Sequence, residues 1–153
     1  MVLLTSCDLS SLVIDKLCDE AEEGIAVTCF YFDYAAREEQ SPINMLGSLL
    51  RQLANRFEKI PDVIVREFEK QKKLIGGRGP QILGILNMFQ AIATTVRTFI
   101  CIDALDECVP RHRVVVLDSL GQILRESPNT RVFITGRPQV RCEIEGKLAA
   151  IFT

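Results

Sequence analysis

The residues able to do chemistry gather in one short stretch, Thr98–Glu107, which reads Thr-Phe-Ile-Cys-Ile-Asp-Ala-Leu-Asp-Glu. An apolar run ends on Asp103 and is followed closely by Asp106 and Glu107. A continuous apolar run is the pattern of a strand buried in a parallel sheet, and ligands of open α/β sheets gather at strand carboxyl ends. Carboxylates there suit a hydrated Mg²⁺ and an attacking water, the means by which a nucleoside triphosphate is cut. On this chemistry Asp103 holds water on Mg²⁺, because a hard cation prefers carboxylate oxygen. Asp106 or Glu107 then orients or deprotonates the attacking water. The plainer alternative is solvation of a strand end, or an N-cap ahead of the helix that Pro110 opens. Asp-x-x-Asp-Glu after apolar and sulfur residues is more specific than a lone strand-end acid, and it favours the first reading.

A second candidate is Arg137, in Thr135-Gly136-Arg137-Pro138 at the end of the next strand. An arginine there can reach a γ-phosphate with its planar fork. A surface arginine in a Gly-Pro turn is the alternative, and both stay open. A phosphate-binding loop is harder to find. Gly76-Gly77-Arg78-Gly79 follows a helical segment and lacks the Lys-Ser/Thr such a loop needs, so it reads as a linker turn. Gly146-Lys147 is followed by Leu148, and the sequence contains no Gly-x-x-x-x-Gly-Lys-Ser/Thr. His112, between Arg111 and Arg113, has no Gly-x-Ser-x-Gly elbow to serve. Cys108 lies beside acids that disfavour its thiolate.

The elements that must position these residues follow from periodicity. A helix is expected over 10–23, with Leu12, Val13, Leu17 and Ala21 apolar and Gly24 ending it. A strand follows over Ile25–Asp33. Ser41-Pro42 opens a helix with Leu46, Leu49, Leu50 and Leu53 on one face. Pro61 begins another to Leu74, with Val63, Ile64, Phe68 and Leu74 as core candidates. After a turn at Gly76–Pro80, a helix to about Thr95 leads into the strand Thr98–Asp103. The helix Arg111–Glu126 is expected to turn Val114, Val115, Leu117, Leu120 and Leu124 to the sheet. Arg131–Thr135 is the third strand, and a short helix after Pro138 ends near Ala150. Strands alternating with long helices predict an α/β fold with a parallel sheet.

Composition narrows the class. The 153 residues fit one domain, and 48% hydrophobic with 25% charged residues is the balance of a soluble globular protein. A net charge of −2 gives no global attraction to nucleic acid or anionic membrane, so neither is expected as a partner. The basic patch Lys70, Lys72, Lys73 and Arg78 reads as solvation of a helix end. No apolar run approaches the roughly 18 residues of a membrane helix. Met1–Cys7 lacks a basic n-region, which argues against a signal peptide. The six cysteines are widely spaced, include no Cys-x-x-Cys and sit in apolar runs. That pattern predicts reduced core thiols and a cytoplasmic setting.

Four segments carry a family resemblance: Phe30-Tyr31-Phe32-Asp33-Tyr34; Gln40-Ser41-Pro42 with Leu46, Leu49, Leu50, Arg51, Gln52 and Leu53; Ile102–Cys108; and Thr135–Pro138. Together they resemble the fungal NACHT-type module of the STAND-class P-loop NTPases. The likeness is strongest to the nephrocystin-type N-terminal domain of fungal multidomain receptors and heterokaryon-incompatibility-like proteins. It spans about Ser10 to Leu148. Ile-Asp-Ala-Leu-Asp-Glu-Cys is similar to the Walker B segment, and Arg137 to the sensor arginine, although the family more often has Ser where Gly136 stands.

The resemblance implies a three-layer P-loop-NTPase-like parallel sheet flanked by helices. It also implies Mg²⁺ with ATP or GTP as cofactors, and a signal-transducing switch associated with downstream repeats such as ankyrin or WD40. In the family's order a strand and Walker A loop precede the helix matched by Leu12–Glu23. Here Met1–Ser6 stands in that place, without the glycines or lysine. Residues 1–153 are therefore expected to be a single partial domain with the first, Walker A strand missing and with poor or no hydrolysis. The absent strand would lie beside the one matched by Arg131–Thr135, leaving an apolar edge that favours self-association and that Val2–Leu4 would partly cover. Two alternatives stand beside this reading. One is a non-enzymatic regulatory module pairing with full-length NACHT relatives, and the other is part of a longer, active NTPase switch.

Overall fold

A computed structural model of the chain describes residues 2–4, 7–19, 24–74 and 81–148. The turn expected at 76–80, the first helix's end at 20–23 and the last residues of the final helix lie outside these. In chain order the elements are β1 (Val2–Leu4), α1 (Cys7–Asp19), β2 (Ile25–Tyr31), α2 (Pro42–Ala54), α3 (Asp62–Leu74) and α4 (Ile82–Ala93). Then come β3 (Arg97–Asp103), α5 (Pro110–Glu126), β4 (Thr130–Thr135) and α6 (Arg141–Leu148). Short 3₁₀ turns occupy Tyr34–Ala36, Leu105–Glu107 and Pro138–Val140.

The strands form one parallel sheet in the order β1-β4-β3-β2. The three strands read from the sequence are all present. A three-residue strand joins them at the β4 edge, with Val2 opposite Phe133 and Leu4 opposite Thr135. β2 stops two residues before the expected Asp33 for a local reason. The Asp33 carboxylate accepts the Ala35 backbone N–H at 2.9 Å and so starts the 3₁₀ turn instead of continuing the strand.

Alternation along the strands sorts the sheet into two faces. Ala26, Ile100, Ile102, Val132 and Ile134 join one buried cluster with residues of α2, α4 and α5. Cys101 is buried but outside that cluster, and α1 packs on β2 and β3. Helices therefore flank both faces. α2 begins as its sequence predicts: Pro42 occupies the first turn and the Ser41 hydroxyl accepts the Asn44 N–H at 3.2 Å. Its Met45, Leu46, Leu49 and Leu53 are fully buried.

Four expected core residues lie at the surface. Val63 and Phe68 on α3 are exposed, Phe68 by 49%, because α3 packs on α4 and, among its described side chains, only Ile64 reaches the cluster's margin; the side chain of Leu74 lies outside the described residues. Val114 is exposed because the buried stripe of α5 runs through Val116, Leu117, Leu120 and Ile123. Leu12 is exposed while Ile14 is the buried residue of α1. Lys72 and Lys73 are exposed in the last turn of α3, where cations complement the helix dipole.

Cys18, Cys29, Cys101, Cys108 and Cys142 are free thiols. Cys101 and Cys108 are buried as expected; Cys18 and Cys142 are exposed, since each falls on the outer side of its helix. The side chain of Cys7 lies outside the described residues. Burial pushes the Cys101 thiol up from its ordinary 9.0 to about 12, with Cys29 and Cys18 adding to the effect. Such a thiol stays protonated and unreactive at neutral pH.

Phe89 is fully buried whereas Phe68 is half exposed. Phe89→Ala is expected to cost roughly 3–5 kcal/mol in urea unfolding and Phe68→Ala under about 1 kcal/mol. Equal losses would show that α3 packs more tightly than this arrangement allows.

Candidate functional site

The site forms where β3 and β4 end side by side. Ile102 lies opposite Ile134, so Asp103 and Thr135 close their strands next to each other. Asp103 is buried, with 4% of its surface exposed. A carboxylate so far from water needs hydrogen bonds. The Thr135 hydroxyl donates to Asp103 Oδ1 and in turn accepts the Ala104 N–H at 3.1 Å. One threonine thus ties the acid's side chain to the backbone that follows it. On the other side the Asp103 carbonyl accepts the Phe32 N–H at 3.1 Å.

Ala104 then takes a left-handed conformation, φ 54° and ψ 45°. This backbone is unfavourable for a residue with a Cβ, and it turns the chain sharply off the strand end. Leu105 is fully buried and anchors the 3₁₀ turn that carries the next two acids. Asp106 Oδ1 accepts the Arg137 backbone N–H at 3.1 Å, and Oδ2 lies 3.2 Å from Arg137 Nε. Glu107 is held more loosely, 3.7 Å from Arg137 Nη2. The Asp106 side chain is 7% exposed and that of Arg137 68%. The arginine therefore reaches over the acids from the solvent side.

Gly136 permits this approach. A Cβ at that position would sit 3.0 Å from Val140 Cγ2 and 3.4 Å from Asp106 Oδ1. The structure thus brings together all four residues singled out in the sequence, Asp103, Asp106, Glu107 and Arg137, though in two sets. Asp103 is paired with Thr135, whereas Asp106 and Glu107 share Arg137. Among the described residues no group of three or more His, Cys, Asp or Glu side chains converges to hold a metal ion.

Thr135 and Arg113 escape sequence reading. Arg113 Nη1 donates to the Cys108 carbonyl at 3.1 Å and Nε to Glu143 Oε2 at 2.8 Å, tying the acidic turn to α6. The signal for Thr135 was its place at a strand end beside the acidic strand; nothing in the sequence links Arg113 to a glutamate 30 positions away. The Cys108 thiol is pushed up to about 11, first by burial, with Arg113 opposing and Glu143 adding. Burial more than the neighbouring acids keeps it inert. His112 Nδ1 is buried without a hydrogen-bond partner among the described residues.

An α/β protein with a parallel sheet and an acid cluster at its carboxyl edge is the class these features define. Residues 8–137 match the family described as Nephrocystin 3, N-terminal, and the chain belongs to that family. A search of curated proteins returned no match.

Thr135→Val keeps the shape and removes the hydroxyl. It is expected to lower stability by about 1–3 kcal/mol in chemical denaturation, because Asp103 and the Ala104 N–H lose their shared partner. Thr135→Ser should retain most of the wild-type value, and an unperturbed valine variant would refute the role given to the hydroxyl.

Proposed function

We propose that this chain is a NACHT-type, P-loop-NTPase-derived signal-transduction module of the cytoplasm, and that these 153 residues hydrolyse nucleotide poorly or not at all by themselves. The observation that carries this reading is the buried Asp103–Thr135 pair at the strand ends, with Asp106, Glu107 and Arg137 beside it. The sheet order adds support. β1 stands beside β4, the place that the family resemblance assigns to the phosphate-loop strand. The sequence around β1 nevertheless carries no Gly-x-x-x-x-Gly-Lys-Ser/Thr to cradle phosphates.

Within this reading the oxygen donors Asp103 and Thr135 fit a hard, hydrated Mg²⁺, which takes its other ligands from water and the phosphates of ATP or GTP. When bound, the ion would neutralise charge on those phosphates. Asp106 is committed to the Arg137 backbone N–H, so Glu107 is the better placed of the two acids to orient water. The exposed Arg137 guanidinium is the group available to an anionic ligand. With Mg²⁺ and fluorescent ATP and GTP analogues, titration should give no micromolar affinity and no steady turnover. Tight binding with turnover would overturn the inactive reading.

A second reading is a non-enzymatic module that pairs with NACHT relatives or with itself. Its support is that β1 covers β4 only at Phe133–Thr135, leaving Thr130–Val132 without a strand on that side among the described residues. Sedimentation of a monodisperse monomer at high concentration, with no binding to a relative's domain, would exclude it.

A further inference from the structure

We propose that Gln52, Gln40 and Arg56 form a side-chain guard along the outer edge of β2, and that this guard keeps β2 from pairing with the β2 of a second copy of this chain. β2 is the sheet's other edge. In a parallel ladder alternate residues bond inward, and here those are the even ones: Arg97 N–H donates to the Gly24 carbonyl and Phe32 N–H to the Asp103 carbonyl. The odd residues Ile25, Val27, Cys29 and Tyr31, with Asp33 beyond, therefore present their backbone groups outward.

Side chains meet those groups at Ile25, Cys29, Tyr31 and Asp33, as a neighbouring strand would. Gln52 Oε1 accepts the Cys29 N–H at 2.9 Å while its Nε2 donates to the Cys29 carbonyl at 2.8 Å. A carboxamide offers one acceptor and one donor side by side, as a peptide unit does. Gln40 repeats the pattern two residues on: Oε1 accepts the Asp33 N–H at 2.8 Å, and Nε2 donates to the Tyr31 carbonyl at 3.0 Å. Arg56 donates to the Ile25 carbonyl. Along β2 the three contacts run opposite to their order in the chain, so one antiparallel helix with its flanks reaches both ends of the edge, from Ile25 to Asp33. Ser48, one turn before Gln52, lies 3.3 Å from Nε2 and helps to orient the amide.

The strand behind the guard needs one. Ile-Ala-Val-Thr-Cys-Phe-Tyr has no charge and no proline, and it is rich in β-branched and aromatic residues. This composition marks a segment that pairs readily when its edge is open. Two copies related by a two-fold axis would join such edges antiparallel.

The test uses the whole chain with Gln52→Met, which keeps the length of the side chain and removes both amide bonds. Hydrogen exchange at the Cys29 amide should rise about tenfold in dilute solution, as expected for loss of one hydrogen bond. Sedimentation should then show concentration-dependent dimers, with β2 amides protected again in the dimer. Unchanged exchange overturns the proposal, as does faster exchange with no association, or association that leaves β2 unprotected. Gln40→Met, at a less buried position, is read by the same criteria and decides the matter where Gln52→Met fails to fold.

Discussion

A buried carboxylate at the end of β3 sets the terms for this structure. The Thr135 hydroxyl helps to hold Asp103 in the interior, and Thr135 stands there because β3 and β4 pair in one register. A slip of either strand by one residue would turn its Ile102 or Ile134 away from the core and remove the hydroxyl from the acid. The apolar cluster beneath the sheet thus fixes the register, and the register places the acid. The left-handed Ala104 follows from the same demand, since its N–H must reach Thr135 while the chain turns toward Leu105.

Around that fixed point the other charged groups are arranged with unequal freedom. Asp106 is anchored through the Arg137 backbone, Glu107 only through a longer ion pair, and the guanidinium projects into solvent. Tightly and loosely held charges therefore lie within a few ångströms of one another. The match to the Nephrocystin 3, N-terminal family runs from α1 to Arg137 just past β4, and so takes in Asp103, Asp106, Glu107 and Arg137.

The two edges of the sheet are treated differently, because different elements follow their strands. β2 leads through the 3₁₀ turn Tyr34–Ala36 into α2, which lies back along it and supplies Gln52 to the strand's backbone. β4 leads into a 3₁₀ turn and the short helix α6, which packs on α5, and its edge is met by the three residues of β1. Among the described residues no helix is long and apolar enough to cross a membrane.

Much of this was legible in the residues alone. The apolar run ending on Asp103, the Ser41-Pro42 helix start and the α/β alternation are local patterns, set by periodicity and capping, and each appears where its residues predict. Local pattern could not say which apolar helix residues face inward. Phe68 and Val114 satisfy helical spacing yet lie outside, because a helix's buried stripe depends on what packs against it. Nor could it show that Thr135 serves Asp103, that Arg137 spans both acids, or that Gln52 completes a strand's hydrogen bonds. Those partners are 23 to 32 residues apart in the chain. Sequence by itself determined which residues carry charge and which segments form the three longer strands; only the packing of strand on strand and helix on edge decided which of them meet, because hydrogen bonds between distant segments exist only once the core has set their register.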